Sequence, residues 1–273
     1  MTGPAPRGRI STQRVRALRN RLSDRDRRVL DAVDDLRLLS ARQIERAIFD
    51  EGSELTRARR ARATLQRLTE AGCLTRLERR IGGVRAGSAS YIYALAPLGQ
   101  RLLHPGLDRL RRVREPGTSF VDHTLGVAEV WVRLGEANRR GRLQLRQFQA
   151  EPACWRQIPG AYHATSLKPD AYVALETNEW EQHSFVEVDL GTECQTVIRR
   201  KAQSYVDYWR TGNEQARFGV FPKVIFLVPD DRRRARIADT LAQLPAENWQ
   251  LFQVAVLDDA IDALAPTDGD RGS

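Results

Sequence analysis

The segment from Leu55 to Ala71 limits the fold of this chain more than any other part of it. Its apolar residues recur at spacings of three and four, which predicts a helix with one narrow buried stripe: Ala58, Ala61, Leu65 and Leu68. Gly72, which follows, is a typical helix stop. The opposite side of the helix carries small and basic side chains: Thr56, Arg59, Arg60, Ala63 and Arg67. A narrow apolar back and an arginine-rich front suit a helix that lies in the major groove of DNA.

Two shorter helices precede this segment, and two strands follow it. Ser23 and Ser40 are the expected N-caps of the helices. The strands are expected at Leu74–Glu78, where apolar and polar residues alternate, and at Ser90–Leu95. Between them lies a glycine-rich tip that carries three arginines: Arg79, Arg80 and Arg85. Three helices followed by a hairpin with a basic tip predict a winged helix-turn-helix domain over residues 23–115. Its predicted DNA-binding residues are Thr56, Arg59, Arg60, Arg67, Arg79, Arg80 and Arg85.

The excess of basic over acidic residues lies entirely in the first part of the chain. Residues 1–115 contain 26 arginines, no lysine and 13 acidic residues, although the whole chain has a net charge of only +9. Arginine binds phosphate through two hydrogen bonds and reads guanine edges, so this bias favours double-stranded DNA as the partner. Residues 1–22 are expected to form a basic flexible arm, with a helical start at Thr12 as one option. The alternative origin of the bias is GC-rich coding combined with solvated helix faces.

Composition excludes several classes of protein. No run of eighteen apolar residues is present, and the N-terminus lacks the apolar stretch of a secretory signal, so we expect a cytoplasmic protein without membrane spans. The three cysteines, Cys73, Cys154 and Cys194, are too far apart for a disulfide framework or a metal-binding pair. The four histidines are equally scattered, which disfavours a structural zinc site.

The second part of the chain is predicted to be an α/β domain over residues 116–264, followed by a disordered tail over residues 265–273. A helix from Phe120 to Gly141 comes first. The other predicted elements follow in the order β-β-β-α-β-α-β, with limits Leu143–Gln149, Lys168–Leu175, Ser184–Leu190, Thr196–Trp209, Lys223–Val228, Arg232–Leu244 and Phe252–Leu257. The fold class is therefore a two-domain mixture of α+β and α/β structure.

Acidic residues fall on two neighbouring strands of this domain. Asp170 lies on one strand, and Glu187 and Asp189 lie two residues apart on the next, so the latter two project from the same face. A carboxylate cluster of this type holds Mg²⁺ or Mn²⁺, and such an ion polarises phosphate and activates water for phosphodiester cleavage. The alternatives are that these carboxylates are strand ends and helix caps, or that they form salt bridges to Lys201 and Arg200.

This second domain resembles the PD-(D/E)xK nuclease superfamily, in which an α-β-β-β-α-β core carries Pro-Asp on one strand and Glu-x-Lys on the next. Asp170 and Glu187 match the two acidic positions, but Asp189 occupies the lysine position. Lys201, on the following helix, is the obvious substitute, and Lys168 is another. The resemblance implies catalytic roles for Asp170, Glu187, Asp189 and Lys201, with Asp170 and Glu187 as ligands of Mg²⁺ or Mn²⁺.

Three further residues are secondary candidates for this cluster. Glu129, on the first helix of the domain, and Glu151, after its first strand, could join the carboxylates, although both positions are typical of surface residues. His123 starts the same helix as Glu129 and is either a general base or a cap or core histidine.

Taken as a whole, the chain resembles the replication-relaxation family of actinobacterial plasmids and mobile elements. The segments that carry the resemblance are Ser23–Asp26, Leu36–Gln43, Tyr91–Leu95, His123–Val130, Leu167–Tyr172, Glu187–Glu193, Arg200–Lys201 and Phe226–Asp230. The resemblance implies a role in plasmid replication or in relaxing plasmid DNA, as an accessory to a relaxase or a replication initiator. It does not assign an active site.

Two hypotheses follow. In the first, the winged helix brings a metal-dependent endonuclease or nickase to DNA. In the second, the protein is a non-enzymatic winged-helix regulator or relaxase accessory, whose second domain forms a homodimer or docks a partner. The excess of acidic residues in the second domain favours the second hypothesis, because nuclease clefts usually gather basic residues. The first hypothesis requires Asp170, Glu187 and Lys201 to lie close together in space, whereas the second does not.

Overall fold

The protein forms two compact units, Met1–Thr118 and Ser119–Ser273, each with its own sheet. The structure is a computed structural model, which describes residues 11–77, 91–106, 110, 117–158, 166–176 and 181–265. The predicted domain boundary after residue 115, the first ten residues of the predicted arm and residues 266–273 of the predicted tail lie outside the described residues. The fold is mixed α/β.

The first unit contains five described helices, α1 to α5, with limits Thr12–Arg19, Asp24–Leu36, Ala41–Ile48, Glu54–Glu70 and Pro97–Leu103. Ser23 and Ser40 cap α2 and α3, as the sequence predicts, and each forms a capping box with the residue three positions later. Helix α1 begins at Thr12. The Arg19 guanidinium fastens this helix to α5 by donating to the carbonyl of Leu102 at 2.7 Å.

Three short antiparallel strands form the sheet of the first unit: β1 (Leu39–Ser40), β2 (Leu74–Leu77) and β3 (Ile92–Leu95), in the order β1-β3-β2. Strand β1 has two residues, which is too short to leave an alternating pattern in the sequence. The segment between β2 and β3, with Arg79, Arg80 and Arg85, lies outside the described residues.

The core of the first unit is built on the predicted apolar stripe of α4. Ala61, Leu65 and Leu68 are buried, and they pack in a core whose other large members are Leu30, Leu39, Ile44, Leu74 and Ile92. Helix α5 ends at Leu103, and His104 leaves the helical region with φ −122° and ψ 79°. Pro105 explains this end, because a proline disfavours helical backbone in the residue before it.

The second unit consists of elements α6, β4 to β8, α7, α8, β9, α9, β10 and α10. Their limits are Thr118–Arg139, Gln144–Ala150, Arg156–Gln157, Ser166–Leu167, Ala171–Glu176, Glu181–Val188, Gln195–Arg210, Asn213–Phe218, Lys223–Val228, Asp231–Leu241, Phe252–Val256 and Ala260–Leu264. Two 3₁₀ turns, Ala246–Leu251 and Leu257–Asp259, flank β10. The long elements follow the predicted order, and the short ones β5, β6, α8 and α10 were not predicted.

Five strands form the main sheet of this unit in the order β10-β9-β8-β7-β4. Strands β4, β7 and β8 pair antiparallel, whereas β8, β9 and β10 pair parallel, so the sheet is mixed. The residues of β9 from Val224 to Val228 are fully buried, as expected for an inner parallel strand. A buried cluster that includes Tyr172, Phe185, Tyr205 and Phe226 packs against this sheet.

Two strand limits differ from the sequence prediction in a way that affects the acidic residues. Strand β7 begins at Ala171 rather than Lys168, and β8 ends at Val188 rather than Leu190. Asp170 therefore precedes β7 directly, and Asp189 follows β8 directly. Because these strands are antiparallel, both aspartates lie at the same end of the sheet. None of the described helices combines the length and apolar character that a membrane span requires.

Candidate functional sites

The β7–β8 pairing places Asp170 beside Glu187. Ala171 pairs with Val186, so the next position outward sets Asp170 opposite Glu187, and opposed residues of an antiparallel pair share one face. The backbone N–H of Asp170 donates to the carbonyl of Val186 at 3.1 Å. Its carboxylate Oδ2 accepts the N–H of Val188 at 2.7 Å. The sheet itself thus fixes the position of this carboxylate.

Glu187 is buried and tightly bound by helix α7. Its Oε2 lies 2.8 Å from Nζ of Lys201, and its Oε1 accepts a hydrogen bond from the Tyr205 hydroxyl at 2.5 Å. Burial and the neighbouring charge of Asp170 raise the pKa of Glu187 to about 7, although Lys201 and Tyr205 act in the opposite direction. A carboxyl group of this kind requires a nearby cation to remain ionised.

Lys201 supplies that cation. Its Nζ also lies 2.9 Å from Oε1 of Glu193, in the loop between β8 and α7. Burial favours the neutral amine, but the charges of Glu187 and Asp170 outweigh it and raise the pKa of Lys201 above its ordinary value. Asp170, Glu187 and Lys201 therefore converge, and we call them the carboxylate–lysine cluster. Lys168, the other lysine considered from the sequence, instead places its Nζ 4.7 Å from the centre of the Trp155 ring.

His123 contacts the same cluster. Its Nε2 lies 3.2 Å from Oδ1 of Asp170. This hydrogen bond raises the pKa of His123 above 6.5, against the effect of burial. The shift favours the imidazolium as the hydrogen-bond donor to Asp170.

The remaining acidic candidates have other surroundings. Oδ2 of Asp189 lies 2.5 Å from the guanidinium of Arg233 on α9, and its Oδ1 accepts the N–H of Gly191. Glu129 pairs with Arg133 at 3.0 Å. Glu151 is closer to the cluster, because its backbone N–H donates to the carbonyl of Asp170 at 3.0 Å and its charge raises the pKa of His123.

Helix α4 of the first unit presents arginines to solvent. Arg59 and Arg60 are exposed and form no hydrogen bond or ion pair within the described parts of the chain. Leu55, in the first turn, is 82% exposed. Thr56 lies at the same end, where its hydroxyl is 3.0 Å from the Ser53 hydroxyl that caps the helix.

Arg67 differs from the other arginines of α4. Its guanidinium lies 2.5 Å from Oδ1 of Asp26, whose side chain is only 2% exposed. Asp26 also accepts the N–H of Ser23 in the capping box of α2. Arg67 therefore joins α4 to the start of α2, in addition to the surface role that the sequence predicts for it.

The chain matches the model of one known protein family. The model of the replication-relaxation family matches residues 30–224 of the 273 residues. The chain belongs to the replication-relaxation family. The matched range contains helix α4 and the whole carboxylate–lysine cluster, whereas Arg233, the partner of Asp189, lies beyond it. No curated protein and no solved structure matches the chain.

The carboxylate–lysine cluster of this replication-relaxation protein contains two carboxylates, those of Asp170 and Glu187, that could bind a metal ion. Within the described ranges, no group of three or more His, Cys, Asp or Glu side chains is arranged to hold a metal ion. Mg²⁺, however, is often bound by one or two carboxylates, with water and phosphate oxygens as the other ligands. Asp170 and Glu187 provide two such carboxylates, and each oxygen retains a lone pair beyond its protein partner.

Two members of the site, Tyr205 and Glu193, were not predicted from the sequence. Tyr205 is four residues after Lys201 on α7, and this spacing puts both side chains on one face of the helix. That signal was available in the sequence. Glu193 lies in a loop, where no periodicity indicates the direction of its side chain.

Proposed function

We propose that this replication-relaxation protein binds double-stranded DNA through its first unit, as a winged helix-turn-helix domain with α4 as the recognition helix. One observation carries the proposal. Arg59 and Arg60 are exposed and unpaired within the described residues, on a helix whose other side is held by the buried Ala61, Leu65 and Leu68. Arginines that are free of protein partners and fixed on a rigid helix are available for guanine edges and phosphates.

The order of elements supports this assignment. Helices α2, α3 and α4 are followed by the antiparallel pair β2–β3, which is the order of a winged helix. Recognition helices of this type contact base edges with residues near their N-terminus, where Thr56, Arg59 and Arg60 lie. Arg79, Arg80 and Arg85 would contact phosphates from the segment between the strands. Arg67 would set the angle of α4 through its ion pair with Asp26.

The test is fluorescence anisotropy with short duplexes tiled across the replicon that encodes the chain. We expect Arg59→Ala or Arg60→Ala to weaken binding by about 1–3 kcal/mol if the residue reads a base. Arg28→Ala is the matched control, because Arg28 is exposed on α2 and its loss removes the same charge. Equal losses of affinity in all three variants would indicate general attraction between the arginines and the DNA backbone. If no variant lost affinity, α4 would not be the recognition helix.

The hairpin arginines predict a separate effect on salt dependence. Replacing Arg80 and Arg85 by alanine should weaken binding to all duplexes to a similar extent. It should also reduce the slope of log Kd against log salt by about 1 for each lost phosphate contact. An unchanged slope would place these residues away from the DNA backbone.

A second candidate function is metal-dependent cleavage of phosphodiester bonds at the carboxylate–lysine cluster. The convergence of Asp170, Glu187 and Lys201 within the family-matched range favours it. Asp170 and Glu187 would hold Mg²⁺ or Mn²⁺, and such an ion polarises phosphate oxygens and lowers the pKa of bound water. Lys201, protonated in this surrounding, would neutralise negative charge on the phosphate that is attacked.

The non-enzymatic alternative is favoured by the internal hydrogen bonds of the same residues. Glu187 is already bound by Lys201 and Tyr205, and Asp170 by His123 and the backbone of Val188. In this interpretation the cluster stabilises the second unit. The protein then acts beside a relaxase or a replication initiator, with the second unit docking that partner or a second copy of the chain.

Incubation with supercoiled plasmid and Mg²⁺ or Mn²⁺ separates the two interpretations, provided that binding is measured in the same samples. The informative variant is Asp170→Asn with Glu187→Gln. Glu129→Gln is the control, because Glu129 pairs with Arg133 away from the cluster. Nicked product from the wild type and the control, but not from a double variant that still binds, would establish a nuclease. Binding without nicking by all three proteins would establish an accessory role.

A further inference from the structure

The turn after β4 is fastened to the segment that carries Asp170. The Cys154 thiol, which is buried, donates to the carbonyl of Pro169 at 3.0 Å. The backbone N–H of Glu151 donates to the carbonyl of Asp170, also at 3.0 Å. Trp155 follows this turn directly, and its own N–H donates to the carbonyl of Pro152 at 3.2 Å. These bonds hold the Trp155 backbone at a fixed place beside the start of β7.

Trp155 is partly exposed, and Lys168 lies beside its ring. The residue is 37% exposed, and the ammonium of Lys168 lies 4.7 Å from the centre of its ring. Lys168 is itself exposed and lies two residues before Asp170. A single exposed apolar side chain is ordinary on a protein surface. A partly exposed indole with a lysine ammonium over its ring, close in sequence to Asp170 of the carboxylate–lysine cluster, is a more specific combination.

We propose that Trp155 and Lys168 form a stacking platform for an unpaired nucleotide of single-stranded DNA. The base stacks on the exposed part of the indole, and the adjacent phosphate binds the Lys168 ammonium. Proteins that bind single strands combine these two components, an aromatic ring for each base and basic groups along the backbone. The platform would hold an unpaired strand next to Asp170, and it is independent of groove recognition by α4.

Charge distinguishes this platform from the first unit. Residues 116–273 contain 18 basic and 22 acidic residues, so general attraction of DNA by the second unit is weak. Stacking must therefore supply most of the binding, with Lys168 contributing one phosphate contact. A single contact gives a slope of only about −0.7 in log affinity against log salt for a single strand. Binding by the platform should consequently persist at salt concentrations that suppress the arginines of the first unit.

The experiment measures binding of the full chain to labelled oligothymidylate at raised ionic strength, beside an abasic oligonucleotide of the same length. Trp155→Ala should weaken binding to oligothymidylate by about 5- to 150-fold, which corresponds to one stacked base. Trp155→Phe should retain most of the affinity, because a ring remains. Trp249→Ala is the matched control, since Trp249 is 50% exposed and lies before β10. On the abasic strand, Trp155→Ala and the wild type should bind equally.

Several outcomes would overturn the platform: no binding of oligothymidylate by the wild type, the same affinity for Trp155→Ala and the wild type, or equal losses for the Trp155 and Trp249 variants. If Trp155→Ala also weakened binding to the abasic strand, the platform would be wrong, because the lost affinity would not depend on a base. Duplex binding forms a separate arm, in which Trp155→Ala should match the wild type. If the wild type fails to bind duplex, the proposed function of α4 fails, while the single-strand comparison still decides the role of Trp155.

Discussion

Nζ of Lys201 lies 2.8 Å from Oε2 of Glu187, and the Glu187 side chain is only 3% exposed. Three carboxylates, those of Asp170, Glu187 and Glu193, act on this one ammonium group. The Lys201 side chain retains 30% exposure, so part of its hydration persists. The pair therefore resembles a buried ion pair on the glutamate side and a partly solvated one on the lysine side.

Lys201→Met should destabilise the second unit, because it leaves a buried glutamate without its cation. We expect a loss of about 3 kcal/mol in the free energy of unfolding, at the lower end for buried pairs because Lys201 is partly hydrated. Adding Glu187→Gln to this variant should recover part of the loss, since the amide carries no charge to bury. Urea unfolding monitored by tryptophan fluorescence measures both effects. A double variant less stable than Lys201→Met would show that the pair is not the main source of the loss.

In the first unit, the ion pair between Arg67 and Asp26 predicts a dependence on acid. Burial alone would raise the pKa of Asp26, but hydrogen bonds from Arg67 and Ser23 lower it below 3.8. A lowered pKa in the folded state gives stability that is present above the unfolded value and is lost as the pH falls through the folded value. Stability of the first unit should therefore decline at the acid end, below about pH 4.

Arg67→Ala should remove that contribution. We expect a loss of about 1–2 kcal/mol at neutral pH, because a buried carboxylate loses a charged donor. The acid-induced decline should also become smaller, since Arg67 no longer holds the pKa of Asp26 below its unfolded-state value. Urea unfolding at several pH values measures both changes. Arg28→Ala, a matched surface control, should leave the pH profile unchanged, and an equal shift in that control would contradict the assignment.

Gly99 on α5 lies very close to the backbone of Cys73, which directly precedes β2. A Cβ added there would overlap the carbonyl oxygen of Cys73 and lie 3.1 Å from its carbonyl carbon. That carbonyl accepts the N–H of Ala96, so it cannot turn away without losing a hydrogen bond. Gly99→Ala should therefore cost about 3 kcal/mol or more and lower the thermal midpoint of the first unit.

Gly106→Ala is the control for this prediction, because an added Cβ at Gly106 meets no atom within 4 Å. We expect its stability to remain within about 0.5 kcal/mol of the wild type. If Gly99→Ala were equally neutral, α5 would have to shift relative to the β2 end of the sheet at almost no cost.

Local signals in the sequence predicted most elements correctly. The caps at Ser23 and Ser40 and the apolar stripe of α4 depend on neighbours within one or two helical turns. The structure confirms both caps and buries Ala61, Leu65 and Leu68, whereas Ala58 is only half-buried. Partners from distant segments could not be predicted in this way. Alternation along β8 grouped Asp189 with Glu187, but β8 ends at Val188, and Arg233 from α9 pairs with Asp189 instead. Lys201 is the exception, because the sequence analysis named it as a partner of these carboxylates, and the structure places its Nζ 2.8 Å from Oε2 of Glu187.

The second unit contains another buried ion pair, between Arg156 and Glu214, whose contribution to stability can be compared with that of Lys201 and Glu187. Nε of Arg156 lies 2.9 Å from Oε1 of Glu214, and the side chains are 12% and 2% exposed. The Tyr208 hydroxyl donates to the same oxygen at 2.7 Å. The Arg156 guanidinium also packs over the rings of Tyr172 and Phe185. Removal of Arg156 would therefore leave a buried carboxylate with one neutral donor and would also open space beside two aromatic rings.

Arg156→Met should consequently cost more than Lys201→Met, because both of its charges are buried and the lost side chain also packs. We expect a loss of about 4–5 kcal/mol, near the upper end for a broken buried pair. Adding Glu214→Gln should recover the electrostatic part and leave the packing part. Comparison of the four variants by urea unfolding in one buffer measures this order. If Lys201→Met were the more damaging change, side-chain exposure would not control the strength of these pairs, and the three carboxylates around Lys201 would outweigh its hydration.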